Sequence, residues 1–227
     1  MRIAVLGTGS VGTTVGSRLV ETGHEVRLGS RTAGSEKGVA WVRATGAGAS
    51  EGTFADAAAW AEVVVNATGG LVSVEALTAA GAENLAGKPL LDVSNPLDFS
   101  GGFPPTVVQP DGRSLGEHIQ ATFPAARVVK TLNTMTADVM VHPRSLPGAH
   151  SVFLAGDDAD AKAVATGILR GFGWEPEEIV DAGGIEAARG LELYLPLWLS
   201  LMGTFGSPAF NVSVVRAAPP PTPESLA

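Results

Sequence analysis

The chain has 227 residues, 45% of them hydrophobic, no cysteine and a formal net charge of -8. That length and apolar content suffice for a buried core, while the missing cysteines exclude disulfides, thiolate metal sites and thiol catalysis. The negative balance, with only 6% aromatic residues, argues against a general nucleic-acid binder and against a binder of anionic membranes.

In chain order, the apolar run 3–6 predicts a strand that leads into Gly7-Thr8-Gly9-Ser10-Val11-Gly12. The following segment carries Val11, Val15, Leu19 and Val20 at helical spacing, and 25–28 predicts a second strand. A helix is expected at 37–45, a short strand at 50–53, a helix over Phe54–Trp60 and a strongly apolar strand at 62–67 stopped by Thr68-Gly69-Gly70. Next come a helix at 72–80 and a strand at 89–93. Residues 94–111, rich in Pro and Gly, are expected to be a long loop, a kind of segment that often carries function. A helix at 114–121, strands at 127–132 and 151–155, a helix at 158–170 and a last strand at 175–180 complete the alternation. This order predicts an α/β fold, a doubly wound, mostly parallel, Rossmann-like sheet with a small C-terminal helical segment. The expected divisions are a nucleotide-binding domain at 1–182, a helical acceptor or dimer segment at 183–217 and a proline-rich, disordered tail at 218–227.

The strand–glycine turn–helix opening is the pattern of a dinucleotide site. Gly7 serves the tight turn, Gly9 lets backbone approach a pyrophosphate, and Gly12, with Gly16, lets the helix lie close to the sheet. The amides of the helix start, with Thr8, Ser10 and Val11, face the phosphates. An NAD site would offer Asp or Glu at the end of the second strand. Here the strand ends Gly29-Ser30-Arg31, with no acid before Glu36. Arg31 can grip a 2′-phosphate bidentately while Ser30 donates to it, so NADP(H) is the expected cofactor. The alternative for Arg31 is a solvated loop arginine. Lys37 either assists or belongs to an exposed helix face.

Ligands of such sheets bind beyond the carboxyl ends of the strands. The residues to read there are Asn66-Ala67-Thr68, Ser94-Asn95-Pro96 and Leu132-Asn133-Thr134. They are amides and hydroxyls without a general acid or base. A site that aligns two rings for hydride transfer needs none, since orientation supplies the catalysis. The alternative is that Asn95 and Asn133 only cap turns. His24, His118, His142 and His150 lack ligand spacing, and no metal is expected.

The same stretches carry a resemblance. GTGSVG at 7–12, GSR at 29–31, DVSNPL at 92–97, VVKTLNTMTADVM at 128–140 and ELYLPLWLSLMGTFGSPAFNVSVVR at 192–216 are similar to the F420-dependent NADP oxidoreductases. The resemblance implies hydride transfer between NADP(H) and the deazaflavin coenzyme F420, or a flavin-like acceptor, in a homodimer. It implies that Thr8, Ser30 and Arg31 hold the 2′-phosphate and its surroundings. Asn95, Pro96, Asn133 and Thr134 would frame the nicotinamide and the acceptor ring. Two stretches depart from the family pattern: Ser35 stands where a second basic residue is common, and VVVNATGG at 63–70 replaces an apolar residue–Pro pattern.

F420 carries phosphate and carboxylates, so a basic rim is expected, with Lys130, Arg144, Arg189 and Arg216 as its cations. Leu191, Leu195, Trp198, Leu199 and Met202 follow helical spacing and predict a buried stripe, either core or homodimer contact; Leu197 and Trp198 are alternatively a wall for the acceptor ring. Two other functions stay open: an NADPH-dependent reductase of a small carbonyl or imine, and a non-catalytic NADPH-binding redox sensor. Met1-Arg2 runs directly into the first strand, and the apolar stretch 191–205 is interrupted and shorter than the ~20 residues that span a bilayer. A cytoplasmic protein without membrane or nucleic-acid partners is the expectation.

Overall fold

A computed structural model describes residues 1–217; the expected tail at 218–227 lies outside the described residues. The strands and helices follow one another as β1 (Arg2–Leu6), α1 (Ser10–Glu21), β2 (Glu25–Ser30), α2 (Glu36–Thr45), β3 (Ala49–Thr53), α3 (Phe54–Trp60), β4 (Val63–Asn66), α4 (Ser73–Ala80), α5 (Ala82–Leu85), β5 (Pro89–Asp92), β6 (Leu97–Asp98) and β7 (Thr106–Val107). They continue with α6 (Leu115–Thr122), β8 (Arg127–Thr131), α7 (Ala137–Val141), β9 (Val152–Ala155), α8 (Ala159–Phe172), β10 (Ile179–Asp181), α9 (Ala188–Leu193) and α10 (Leu195–Phe205).

Eight strands form one sheet in the order β10-β9-β8-β5-β4-β1-β2-β3. From β3 to β8 all neighbours run parallel. The chain crosses from one half of the sheet to the other between β1 and β4, which opens a crevice above their carboxyl ends. β1 shows why the sheet is buried on both sides. Ile3 and Val5 point into one core with Val15, Leu19 and Trp41. Ala4 and Leu6 point into the other with Phe54, Leu77 and Ile119, as the period-two geometry of a strand requires.

β9 departs from the alternation. It pairs antiparallel with β8, Thr131 opposite Leu154, and β10 runs parallel to β9. The sheet is thus mostly parallel, and the start of β9, not its end, shares the crevice side with the end of β8. The stretch expected as a structureless loop holds the small β6–β7 hairpin, with Leu97 opposite Val107. Pro176–Glu178 form a 3-10 turn before β10 where the sequence predicts the first half of a strand. In the C-terminal stripe only Leu191 and Leu195 are buried, while Trp198, Leu199 and Met202 are half-covered. The reason is position: α10 runs past the sheet, and Trp198 finds its partner in Phe210, stacked at 5.4 Å between ring centroids. Among the described residues no helix is long and apolar enough to cross a membrane.

Candidate functional site

The turn after β1 is built by contacts that only glycine allows. Gly7 adopts φ +118°, and a Cβ there would stand 2.5 Å from the Ala67 carbonyl oxygen. A Cβ on Gly12 would stand 2.1 Å from the Gly7 carbonyl oxygen. Gly9 differs. Its φ of -77° suits any residue, and a Cβ there would meet nothing within 4 Å. No protein contact requires glycine at position 9, while the α1 start it caps has no side-chain cap. Bare amides beside open space are the geometry of an anion site at a helix start, so these residues fit a dinucleotide's pyrophosphate.

A cavity of about 460 Å³ opens here, lined by Gly7, Thr8 and Gly9 on one side and by Ser30, Arg31, Thr32 and Ser35 on another. Phe54, Ala67, Thr68, Gly69, Val72, Ala76 and Ala79 complete it with a largely apolar wall that carries one carboxylate, Glu75. Arg31 is exposed and makes no ion pair among the described residues. Ser30 Oγ donates to the Thr32 carbonyl at 2.7 Å, and Ser35 Oγ caps α2 by accepting from Gly38 N at 3.3 Å. The end of β2 is therefore a turn of hydroxyls around one free cation. Ser10, Val11 and Gly12 lie in α1 behind the cavity, and Lys37 is exposed away from it.

Asn66 sits one layer beneath. Its side chain is fully enclosed, and Nδ2 donates to Ser73 Oγ at 3.1 Å and Asp92 Oδ1 at 2.9 Å. Oδ1 accepts from Thr68 Oγ1 at 2.7 Å. All of these partners are protein, so the amide shapes the turn that presents Ala67 and Thr68 to the cavity.

Further along the sheet, Asn95 and Asn133 clasp each other across the ends of β5 and β8. Asn95 Nδ2 donates to the Asn133 carbonyl at 2.7 Å, and Asn133 Nδ2 donates to Asn95 Oδ1 at 2.9 Å. Asn133 Nδ2 also reaches the Leu191 carbonyl of α9 at 3.1 Å. The backbone turns into this clasp through Leu132, a buried non-glycine residue at φ +61°, a conformation that costs about 1–3 kcal/mol and tends to mark functional turns. Asn133 Oδ1 and Thr134 Oγ1 are buried without any hydrogen-bond partner. They are two of nine such side-chain atoms among the described residues, and with Thr131 Oγ1 they cluster at the carboxyl end of β8, the end of the sheet where ligands of this fold bind.

Two residues that sequence reasoning passed over complete the site. Gly70 admits the Asn95 backbone, since a Cβ there would stand 2.1 Å from the Asn95 carbonyl oxygen. Glu192 of α9 meets Lys130 at 3.0 Å, and Lys130 also pairs with Asp92 at 2.8 Å. Burial alone would lower the Lys130 pKa, but the carboxylates of Asp92 and Glu192 hold it above the ordinary lysine value. The signal for this cluster was present as single charges inside apolar strand runs, Asp92 in LLDV and Lys130 in VVKT, whereas nothing local marks Glu192 or Gly70 as their neighbours.

The expected basic rim does not assemble. Lys130 is 0% exposed and committed to its two carboxylates. Arg144 pairs with Glu178 and Arg189 with Glu117, which leaves Arg216 near the end of the described chain. Carboxylates close by pair with three of the four cations, of which Lys130 is fully enclosed and Arg144 and Arg189 are half-exposed.

Parallel strands in this order, a glycine turn into a bare helix start and a hydroxyl–arginine end to β2 define a dinucleotide-binding α/β protein of the NADP type. Comparison with known proteins narrows that class. The family model described as NADP oxidoreductase, coenzyme F420-dependent, matches residues 2–96. A candidate F420-dependent NADP-reductase from Arthrobacter sp. FB24 is 50% identical, with 95% of this chain and 100% of that chain covered and a TM-score of 0.90. The chain belongs to the F420-dependent NADP oxidoreductase family and is an NADP-dependent oxidoreductase. A hypothetical protein from Sinorhizobium meliloti is similar at 24% identity, with 83% of this chain and 87% of that one covered and a TM-score of 0.68. A reductive aminase from Aspergillus terreus, solved with NADPH4, cyclohexanone and allyl amine, is 20% identical over 90% of this chain and 62% of that one, with a TM-score of 0.64. These two likenesses speak for the fold alone. No curated protein matches the chain significantly.

Proposed function

We propose that the protein transfers a hydride between NADP(H) and a deazaflavin of the coenzyme F420 type. The observation that carries the reading is the pair of orphaned atoms, Asn133 Oδ1 and Thr134 Oγ1, just past the end of β8, on the same carboxyl edge of the sheet as the cavity at Gly7, Thr8 and Gly9. In this reading Gly9 and the first amides of α1 hold the pyrophosphate, and Arg31, with the hydroxyls of Ser30, Thr32 and Ser35, holds the 2′-phosphate. Phe54, Ala76 and Ala79 cover the adenine. Asn133 and Thr134 hold the nicotinamide carboxamide, and Asn95 and Pro96 set the face from which the acceptor approaches.

NADPH supplies the hydride at nicotinamide C4. The protein contributes orientation and a water-poor environment, which suffice for direct transfer between two held rings. Asn95, Pro96, Asn133 and Thr134 carry no ionisable side chain, and Asp92 and Lys130 beneath them are fully enclosed and bound to each other. His118, which lines a small pocket with Pro96, is the ionisable group on the acceptor side; a ring acceptor can take its proton from solvent, whereas a small carbonyl, whose alkoxide needs an acid beside it, would have to use that imidazole. The same reading includes a homodimer, formed through α10, on which Leu197 is 55% and Phe205 58% exposed.

The test is oxidation of NADPH on addition of F420, followed through loss of the deazaflavin's visible absorbance. Turnover with F420 and not with ketones or imines is the expected result. Turnover with ketones or imines alone would replace this reading by a carbonyl or imine reductase. Tight NADPH binding without any turnover would make the protein a sensor.

A further inference from the structure

Lys130 occupies an unusual place for a lysine. It lies fully enclosed in β8, and each of its three ammonium protons has an acceptor: Asp92 Oδ2 at 2.8 Å, the Ser94 carbonyl at 2.6 Å and Glu192 Oε1 at 3.0 Å. The acceptors come from two different parts of the chain. Asp92 ends β5, and Ser94 belongs to the turn after it that carries Asn95. Asp92 Oδ1 is occupied from the other side by Asn66 Nδ2 at 2.9 Å and Ser94 Oγ at 2.5 Å. Glu192 belongs to α9, and it also accepts from the Leu115 and Gly116 amides at the start of α6, at 2.9 and 3.1 Å. One residue before Glu192, the Leu191 carbonyl accepts from Asn133. Asn95, one residue after Ser94, and Asn133, three after Lys130, form the clasp.

We infer that Lys130 is a positioning residue for hydride transfer, a buried strut that locks the C-terminal helix α9 and the Asn95 turn into one rigid frame around the Asn95–Asn133 clasp. The inference rests on the hydride-transfer reading above. A simpler apolar contact could hold α9 to the sheet, and an apolar replacement of a buried ion pair is commonly neutral or stabilising. What an apolar residue cannot do is fix the Ser94 carbonyl and the Glu192 carboxylate at the same point. Directional hydrogen bonds on both sides make the separation of the two elements, and so the pose of Asn95 against Asn133, single-valued. The strained turn at Leu132 lies between Lys130 and Asn133, so any slack in β8 passes directly into the clasp.

The cluster holds two carboxylates and one ammonium, a net charge of about -1 that the start of α6 faces with its amides. Lys130→Met alone leaves two enclosed carboxylates facing each other and is expected to fold poorly. Lys130→Met combined with Asp92→Asn restores the same net charge: Glu192 keeps both α6 amides as donors, and the Asn oxygen still accepts from Asn66 and Ser94. That double variant separates packing from positioning. In the ligand-free full chain, its thermal midpoint should stay within a few degrees of the wild type. Amide hydrogen exchange at 94–95 and 133–134 should nevertheless rise by roughly tenfold or more, as local opening is freed. The calorimetric Kd for NADPH should change by less than about threefold, because the Arg31 end of the cavity is untouched, while the single-turnover rate of NADPH oxidation by F420 should fall by about 100-fold, the scale of a small misplacement of reacting groups. Unchanged exchange at both segments overturns the strut. So does a turnover rate that returns to within about threefold of the wild type together with thermal stability. Should the wild type neither bind NADPH nor reduce F420, the functional reading falls by itself, and the exchange comparison still decides whether Lys130 fixes the clasp.

Discussion

Arg189 of α9 forks onto Glu117 of α6, its Nε donating to Glu117 Oε2 at 2.6 Å and its Nη2 to Oε1. The same carboxylate closes a capping box on α6 by accepting from Ser114 N at 2.9 Å and Ser114 Oγ at 2.8 Å. One side chain thus terminates a helix and ties it to the C-terminal segment. The hydrogen bonds from Arg189, followed by those from Ser114, hold the Glu117 carboxyl down from its ordinary 4.5 to about 2.

The sign of the pH dependence follows. A carboxyl whose pKa is lower in the folded state contributes stability that is complete above its unfolded pKa and is lost as pH falls through the folded one. Arg189→Ala should therefore lower the thermal midpoint at pH 7, and the difference from the wild type should shrink between pH 4.5 and about 2. Thermal unfolding of both proteins across that range checks it. A difference that is the same at both ends of the range would mean that the bridge adds nothing.

Gly9 and Gly12 should respond in opposite ways to the same substitution. Gly12→Ala forces a Cβ against the Gly7 carbonyl oxygen, at 2.1 Å, and should destabilise the fold by about 1–3 kcal/mol through overpacking. Gly9→Ala meets no protein atom within 4 Å and should stay within about 1 kcal/mol of the wild type, the scale of an N-cap change to alanine. Its effect should appear in nucleotide binding, as a loss of at least about tenfold in Kd for NADPH and NADH alike. Chemical denaturation and calorimetry on the two variants separate these outcomes.

Arg31→Ala should act on one nucleotide only. Removing a charge-assisted contact to phosphate should weaken NADPH binding by about 10- to 100-fold and leave NADH nearly unchanged. With Ser35 in place of a second cation, Ser35→Arg should move NADPH affinity the other way. Equal losses for both nucleotides on Arg31→Ala would return Arg31 to the status of a solvated loop residue.

The legible parts of the sequence were those where burial is two-sided or where a glycine has no substitute. The apolar runs of β1 (3–6) and β4 (63–65) are continuous because both faces are covered, and the turn at Gly7 announces itself through backbone geometry. Three features were hidden for physical reasons. The direction of β9 depends on how the chain crosses from β8, and a 20-residue connection containing the five-residue α7 permits either sense. The β6–β7 hairpin has two-residue strands, too short for any periodicity. The basic rim failed because a cation in a sequence says nothing about the carboxylate that folding brings to it: Glu117, Glu178 and Asp92 lie at least 34 positions from the cations they hold. The Asn95–Asn133 clasp was read as two residues at neighbouring strand ends, but their mutual hydrogen bonds depend on the positive φ of Leu132, which no local signal in a leucine reveals.

Thr134 gives the sharpest division between what the fold needs and what the ligand needs. Its hydroxyl is buried, the residue being 2% exposed, and has no protein partner. In the ligand-free protein that oxygen is a liability, since an unsatisfied buried polar atom costs about 1–3 kcal/mol. Thr134→Val keeps the branched shape and removes the oxygen, so the ligand-free variant should gain about 1 kcal/mol of stability in urea denaturation. If the hydroxyl serves the nicotinamide, the rise in thermal midpoint on adding saturating NADPH should be smaller in the variant, because the bound state has lost a hydrogen bond that the free state never had. The slower hydride step that follows should accompany that smaller rise. A variant that gains stability with an unchanged response to NADPH would assign Thr134 to packing and leave Asn133 alone to hold the ring.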